Sequence, residues 1–136
     1  MTFIEFYFSK KYDQKHILMC LLKSGFSLSY KENIHYVQPG NFELFNWVSI
    51  NENEFDLNSF LDDHYDGDNI GISFMINDLD GIDILIYDDS LLIGFIGDGK
   101  YINARQKIYD YSWYIKNFSN FFQFVAVERI KCTLTQ

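Results

Sequence analysis

Between Lys31 and Lys100 the chain contains no lysine and no arginine. Proline occurs once and cysteine twice in 136 residues. One proline and eight glycines exclude collagen-like and low-complexity classes. Two cysteines, Cys20 and Cys132, lie far apart in apolar surroundings without a CxxC partner, which excludes a disulfide scaffold or a cysteine metal site. The sequence predicts two core thiols in a reducing compartment, with a bridge between first helix and last strand allowed but not required. No apolar run reaches the ~18 residues of a membrane span, and the N-terminal Met1-Thr2-Phe3-Ile4-Glu5 lacks a basic leader start. The expectation is a cytoplasmic protein that meets no membrane.

What is present is apolar and aromatic. Hydrophobic residues make up 48% and aromatics 19%, too much for a disordered chain. A chain of this size buries about two-thirds of its unfolded surface, enough for one core without metal or disulfide. The domain expected is single, residues 1–136, with no linker, repeat or composition break.

Net charge is −8, but its layout matters more. The segment between Lys31 and Lys100 carries −15 and the flanks +7. Self-repulsion inside one segment costs stability, so folding alone does not favour it. Two readings stand side by side: acidic loops that keep an aromatic-rich domain in solution, or an acidic face that docks a basic partner and steers its approach. Direct nucleic-acid binding is disfavoured, because phosphates need a basic patch.

Along the chain, residues 3–8 read as a strand and residues 12–24 as a helix ended by Gly25. Strands are expected at 33–37 and 43–50, joined by Gln38-Pro39-Gly40-Asn41. Asn53 is placed as cap of a short acidic helix, with Asp56 completing a capping-box-like pair and Leu57, Phe60, Leu61 and His64 on one face. Residues 70–77, 82–87 and 91–96 form three β-rich runs, and Asp80-Gly81 between two of them is a two-residue hairpin signal. A strand around 101–108 follows. Asp110 caps a helix whose stripe runs through Tyr111, Tyr114, Ile115, Phe118, Phe121 and Phe122. Phe124, Ala126, Ile130, Cys132 and Leu134 share one face of a last strand. The class is α+β: a mainly antiparallel sheet, with a central three-stranded meander over 70–96 and two to three helices packed on it.

Three clusters carry potential chemistry. Asp62, Asp63, His64, Asp66 and Asp68 crowd one helix end, where the dipole prefers cations. Neither Gly67 nor Gly81 aligns as the EF-hand glycine with a Glu at position twelve, so no metal site is assigned. Of three histidines, His64 alone sits among carboxylates, which should raise its pKa, whereas His16 and His35 read as structural. Gly94 to Gly99 lacks the Lys-Ser/Thr ending of a phosphate loop. Trp113 lies off the aromatic stripe and is a candidate anchor.

The run Asp110-Tyr111-Ser112-Trp113-Tyr114-Ile115-Lys116, with its aromatic helix and terminal strand, resembles the end of bacterial immunity proteins of polymorphic and contact-dependent growth-inhibition toxin systems. The match spans roughly residues 110–134. It implies a small, cytoplasmic, acidic, non-enzymatic α+β protein that binds a toxin domain, often a basic nuclease, and occludes its site. No cofactor is implied. Charge gives the expected contact set Glu52, Glu54, Asp56, Asp62, Asp63, Asp66, Asp68, Asp78, Asp80, Asp88 and Asp89, and Trp113 joins it as the aromatic anchor off the stripe. The alternatives are a small acidic adaptor or phage-type inhibitor of another basic protein, and a small hydrolase using His64 with Asp62, Asp63 or Asp66.

Overall fold

The computed structural model describes residues 2–96, 99–103, 105–106 and 108–134. Seven strands form one sheet: β1 (Phe3–Phe8), β2 (Asn33–Val37), β3 (Trp47–Asn51), β4 (Ile70–Met75), β5 (Gly81–Ile86), β6 (Ser90–Phe95) and β9 (Val127–Thr133). Their order is β3-β2-β4-β5-β6-β1-β9, and every neighbouring pair is antiparallel. β7 (Tyr101–Asn103) and β8 (Ile108–Tyr109) make a separate two-stranded ribbon. The helices are α1 (Gln14–Lys23), α2 (Leu57–Asp62) and α3 (Tyr111–Lys116). The fold is α+β with a mostly antiparallel sheet. Among the described residues, no helix is long and apolar enough to cross a membrane.

Alternation sets the two faces. Ile4, Phe6 and Phe8 of β1, Ile70, Ile72 and Phe74 of β4, Ile82, Ile84 and Ile86 of β5, and Leu91 and Ile93 of β6 point into one core. That core also takes Ile17, Leu18, Cys20 and Leu21 of α1, Phe60 of α2 and Tyr114 of α3, with Phe118 and Phe121 beyond. The other face carries the intervening residues, and only in β4 are both sets buried. A Cβ on Gly71 would collide with the Val37 side chain, so glycine lets β2 lie close on β4.

Side-chain caps start all three helices. Asp13 accepts from the Lys15 amide and Asp110 from the Trp113 amide. At α2 the cap is Asp56, which accepts from the Asn58 amide and the Ser59 hydroxyl; Asn53 lies upstream in a 3-10 turn instead. The buried Gln14 amide donates to the Gly67 carbonyl (3.0 Å) and to Asn69 Oδ1 (3.3 Å), fastening α1 to the chain after α2.

Several expectations are corrected. The β4–β5 connection spans residues 76–80, closed by the Ile76 amide on the Asp80 carbonyl. Asn77 Oδ1 accepts from the Leu79 and Asp80 amides, each at 2.8 Å, so an Asx-type turn replaces the two-residue Asp80-Gly81 hairpin. Gly81 then opens β5 with no positive φ. Residues 42–44 form a 3-10 turn, and Phe45 is left-handed with φ 47, which confines β3 to Trp47–Asn51. Helix α3 stops at Lys116, where the Asn117 side-chain amide joins its own backbone amide on the Trp113 carbonyl and the Ser119 hydroxyl and amide both reach the Lys116 carbonyl. Phe121 follows in a 3-10 turn. The last strand is an exposed edge: its register shifts opposite Tyr7 and Phe8, and Phe124, Ala126, Ile130, Cys132 and Leu134 are all solvent-exposed. Cys132 is therefore not a core thiol, whereas Cys20 is buried, and both are free. The glycine-rich stretch 94–99 lies partly outside the described residues.

Candidate functional site

Register brings polar groups together on the face turned away from the helices. Ser73 pairs with Asp83 across β4–β5, and Asp83 with Gly94 across β5–β6. Tyr36 pairs with Ile72, which brings His35 level with Ser73, and His35 pairs with Ser49 on β3. A polar row thus crosses the sheet through Ser49, His35, Ser73 and Asp83. Its centre is the Ser73 hydroxyl, which donates to Asp83 Oδ1 at 2.5 Å.

His35, Ser73 and Asp83 of this row floor a cavity of about 550 Å³, within the range of small-ligand pockets. Leu28, Trp47, Met75, Leu79 and Ile96 supply apolar walls around His35, Ser73 and Asp83. Burial pushes the Asp83 carboxyl above its ordinary 3.8, opposed by the Ser73 hydrogen bond and by His35. A half-buried carboxylate with one hydroxyl donor and only the nearby His35 ring favouring its charge has lost more to desolvation than these partners return. Chemically the arrangement offers a negative head group at the base of an apolar recess.

The sequence-expected acids are dispersed elsewhere. Glu52, Glu54, Asp56, Asp62, Asp63, Asp66, Asp78 and Asp89 are exposed, while Asp68 and Asp88 are half-buried. Asp80 is buried: it accepts from Asn77 Nδ2 at 2.8 Å and pairs with Lys100 at 3.8 Å, so it serves the β4–β5 loop rather than an open surface. Asp68 accepts from the Tyr65 amide. Trp113 is half-buried, edge-on to Tyr114, with Lys100 Nζ over its ring at 5.5 Å.

The segregation of charge in sequence is partly undone in space. Lys11 reaches Asp88, Lys15 reaches Asp66 and Lys100 reaches Asp80, so each ion pair joins a basic flank to the acidic middle. The two exposed pairs are worth at most about 1 kcal/mol each.

His64 departs most from expectation. Its ring is buried against Phe60, and Nδ1–H donates to the Phe60 carbonyl at 2.7 Å. Burial lowers its pKa below the ordinary 6.5, outweighing the Phe60 carbonyl and Asp68 that favour the cation. Its hydrogen-bond partner is not Asp62, Asp63 or Asp66, so the acid–base pair of the hydrolase alternative is not assembled. His16 is exposed, stacked on Tyr12, and 3.5 Å from Cys20 Sγ. Among the described residues, no group of three or more histidine, cysteine or acidic side chains could hold a metal ion.

The Asp83 pocket was not marked out from sequence. The available signal was a polar residue inside each of two apolar strands, Ser73 in β4 and Asp83 in β5. No protein-family model matches the chain, and comparison with curated proteins and with solved structures yields no match either.

Proposed function

We propose that the chain is a binding protein of the immunity type, which neutralises a basic toxin domain by occupying its cationic surface stoichiometrically. One observation carries this reading. Of the eight exposed acids named above, only Asp66 has an ion-pair partner among the described residues. Seven carboxylates thus stand in solvent without an ion-pair partner among the described residues, and a basic partner would supply that counter-charge on contact. A nuclease domain must hold phosphates with cations, and such a surface accepts carboxylates in their place. The terminal run from Asp110 to Lys116, with the strand after it, adds the resemblance to immunity proteins of polymorphic and contact-dependent toxin systems.

The test reverses Glu54, Asp62 and Asp63 to Lys, all exposed and free of ion pairs among the described residues. The variant is co-expressed with each reading frame cloned from beside this one in its genome that proves toxic when expressed alone, and cell survival and thermal unfolding are read together. Protection should fall while unfolding stays put, since exposed substitutions usually move stability by only about 0.5 kcal/mol. Full protection by the folded variant overturns the acidic docking.

A further inference from the structure

We propose that the recess over Asp83 receives the guanidinium or ammonium head of one arginine or lysine side chain from a basic protein partner, its stem lying along the apolar walls. The proposal deepens the reading of the chain as a binder of a basic protein, and it rests on that reading for the identity of the partner.

Three features of the recess select this occupant. Among the described residues, its floor holds a carboxylate whose one hydrogen-bond donor is Ser73; no lysine or arginine pairs with it, and the His35 ring on the same floor favours its charge without outweighing burial. An apolar occupant would deepen the burial of that charge without compensation, and an anion would be repelled. Its walls are Leu28, Trp47, Met75, Leu79 and Ile96. A compact hydrated ion would leave these unused, whereas a long side chain with an apolar stem and a cationic tip matches both wall and floor. Trp47 adds an aromatic ring, the side chain most favourable to a nearby cation. Third, the mouth is built to be covered. Leu79 is 84% exposed beside the exposed Asp78, and Tyr30 and Ile96 are exposed at the same opening. Apolar side chains around a half-buried carboxylate form the ring of contacts that excludes water from an interfacial anchor.

The experiment titrates the purified, 15N-labelled protein with three probes: N-acetyl-arginine methylamide, n-butylguanidinium and the neutral n-butylurea. The two cations should shift the Trp47 indole N–H and the Ser73 and Asp83 amides. The urea should bind at least roughly tenfold more weakly, since charge-assisted bonds are about twice as strong as neutral ones. Asp83→Asn should weaken both cations to the level of the urea. Trp47→Ala, which keeps the carboxylate, should also weaken them, and it serves as second variant if the first disturbs the sheet. Equal affinity for urea and guanidinium, shifts confined to Asp62 and Asp63, or unchanged binding by a folded Asp83→Asn protein would overturn the proposal. Binding of butylguanidinium without the capped arginine would make this a site for small free cations and overturn the side-chain assignment. The acidic-surface reading fails separately. The Glu54, Asp62 and Asp63 reversal leaves these titrations unchanged, and its readout is cell protection.

Discussion

Ser73 and Asp83 face each other across the β4–β5 pair, and the Ser73 hydroxyl gives the Asp83 carboxylate its one hydrogen bond among the described residues, at 2.5 Å. The carboxyl titrates above its ordinary 3.8 because burial disfavours the charged form more than Ser73 and His35 favour it. A raised acid pKa means the folded state holds its proton more tightly than the unfolded chain. The associated stability is fully present below 3.8 and is lost as pH rises through the folded pKa. At neutral pH the ionised group is therefore a net cost.

Asp83→Asn should accordingly raise the free energy of unfolding at neutral pH and leave it little changed in strong acid. Ser73→Ala should do the reverse at neutral pH, lowering stability by about 1–3 kcal/mol as it strips a buried acceptor of its donor. Urea unfolding of both variants across the acid range checks the pair. An Asp83→Asn protein less stable than wild type at neutral pH would show that the carboxylate has a stabilising partner unaccounted for here.

Gly71 makes a second prediction. Its missing Cβ is what allows Val37 to sit over β4, and Leu85 closes the third side at 3.1 Å. Gly71→Ala should destabilise the protein by about 1–3 kcal/mol through overpacking. Gly71→Ala combined with Val37→Ala should recover part of that loss, because the clash involves this side chain. Thermal unfolding of the two single variants and the double variant measures the coupling.

The parts of the fold legible in the sequence are those fixed by local pattern. The strand Phe3–Phe8, read from its β-favouring residues, and the Asp110 cap of α3 both follow from near neighbours. Legibility fails where side chains at a distance of a few residues compete for backbone groups. Asn77 captures the Leu79 and Asp80 amides and displaces the Asp80-Gly81 turn, and the Ser119 hydroxyl takes the Lys116 carbonyl just where a helix whose apolar stripe continues comes to its end. The acids were visible as a group, but whether each meets a cation depends on contacts such as Lys100 with Asp80 that join distant positions. The pocket was hidden for the same reason. Ser73, Asp83 and His35 meet only once three strands take their register.

The two cysteines should separate by accessibility. Cys20 is buried in α1 against the sheet, while Cys132 is exposed on the edge strand β9. Burial of the sulfur still holds both thiols above their ordinary pKa, so neither is an activated nucleophile. A thiol reagent should label Cys132 first in the native protein, slowly, and Cys20 only on unfolding. Mass spectrometry of partially labelled protein reads the order directly, and early labelling of Cys20 would contradict the packing of α1.

His64 supplies the opposite pH signature to Asp83. Its Nδ1–H is spent on the Phe60 carbonyl, its ring packs on the Phe60 ring, and burial favours the neutral imidazole. The charged groups acting on it are Asp68 and Asp63, which favour the cation, and Lys15, which opposes it. Their balance does not overcome desolvation, so the folded pKa lies below 6.5. For a base with a lowered pKa, the unfolded chain takes up the proton first, and stability rises with pH through this window. The contribution is complete above 6.5 and disappears as pH falls through the folded pKa. Wild type should thus lose stability on mild acidification, above the range where ordinary carboxylates titrate. His64→Gln should flatten that slope, since glutamine can still donate to the Phe60 carbonyl but takes no proton. The imidazole resonances of His64, followed by NMR against pH, give the pKa itself. A value above 6.5 would mean that Asp68 and Asp63 outweigh burial, and the ring would then act as a surface cation for the helix end rather than as part of the core.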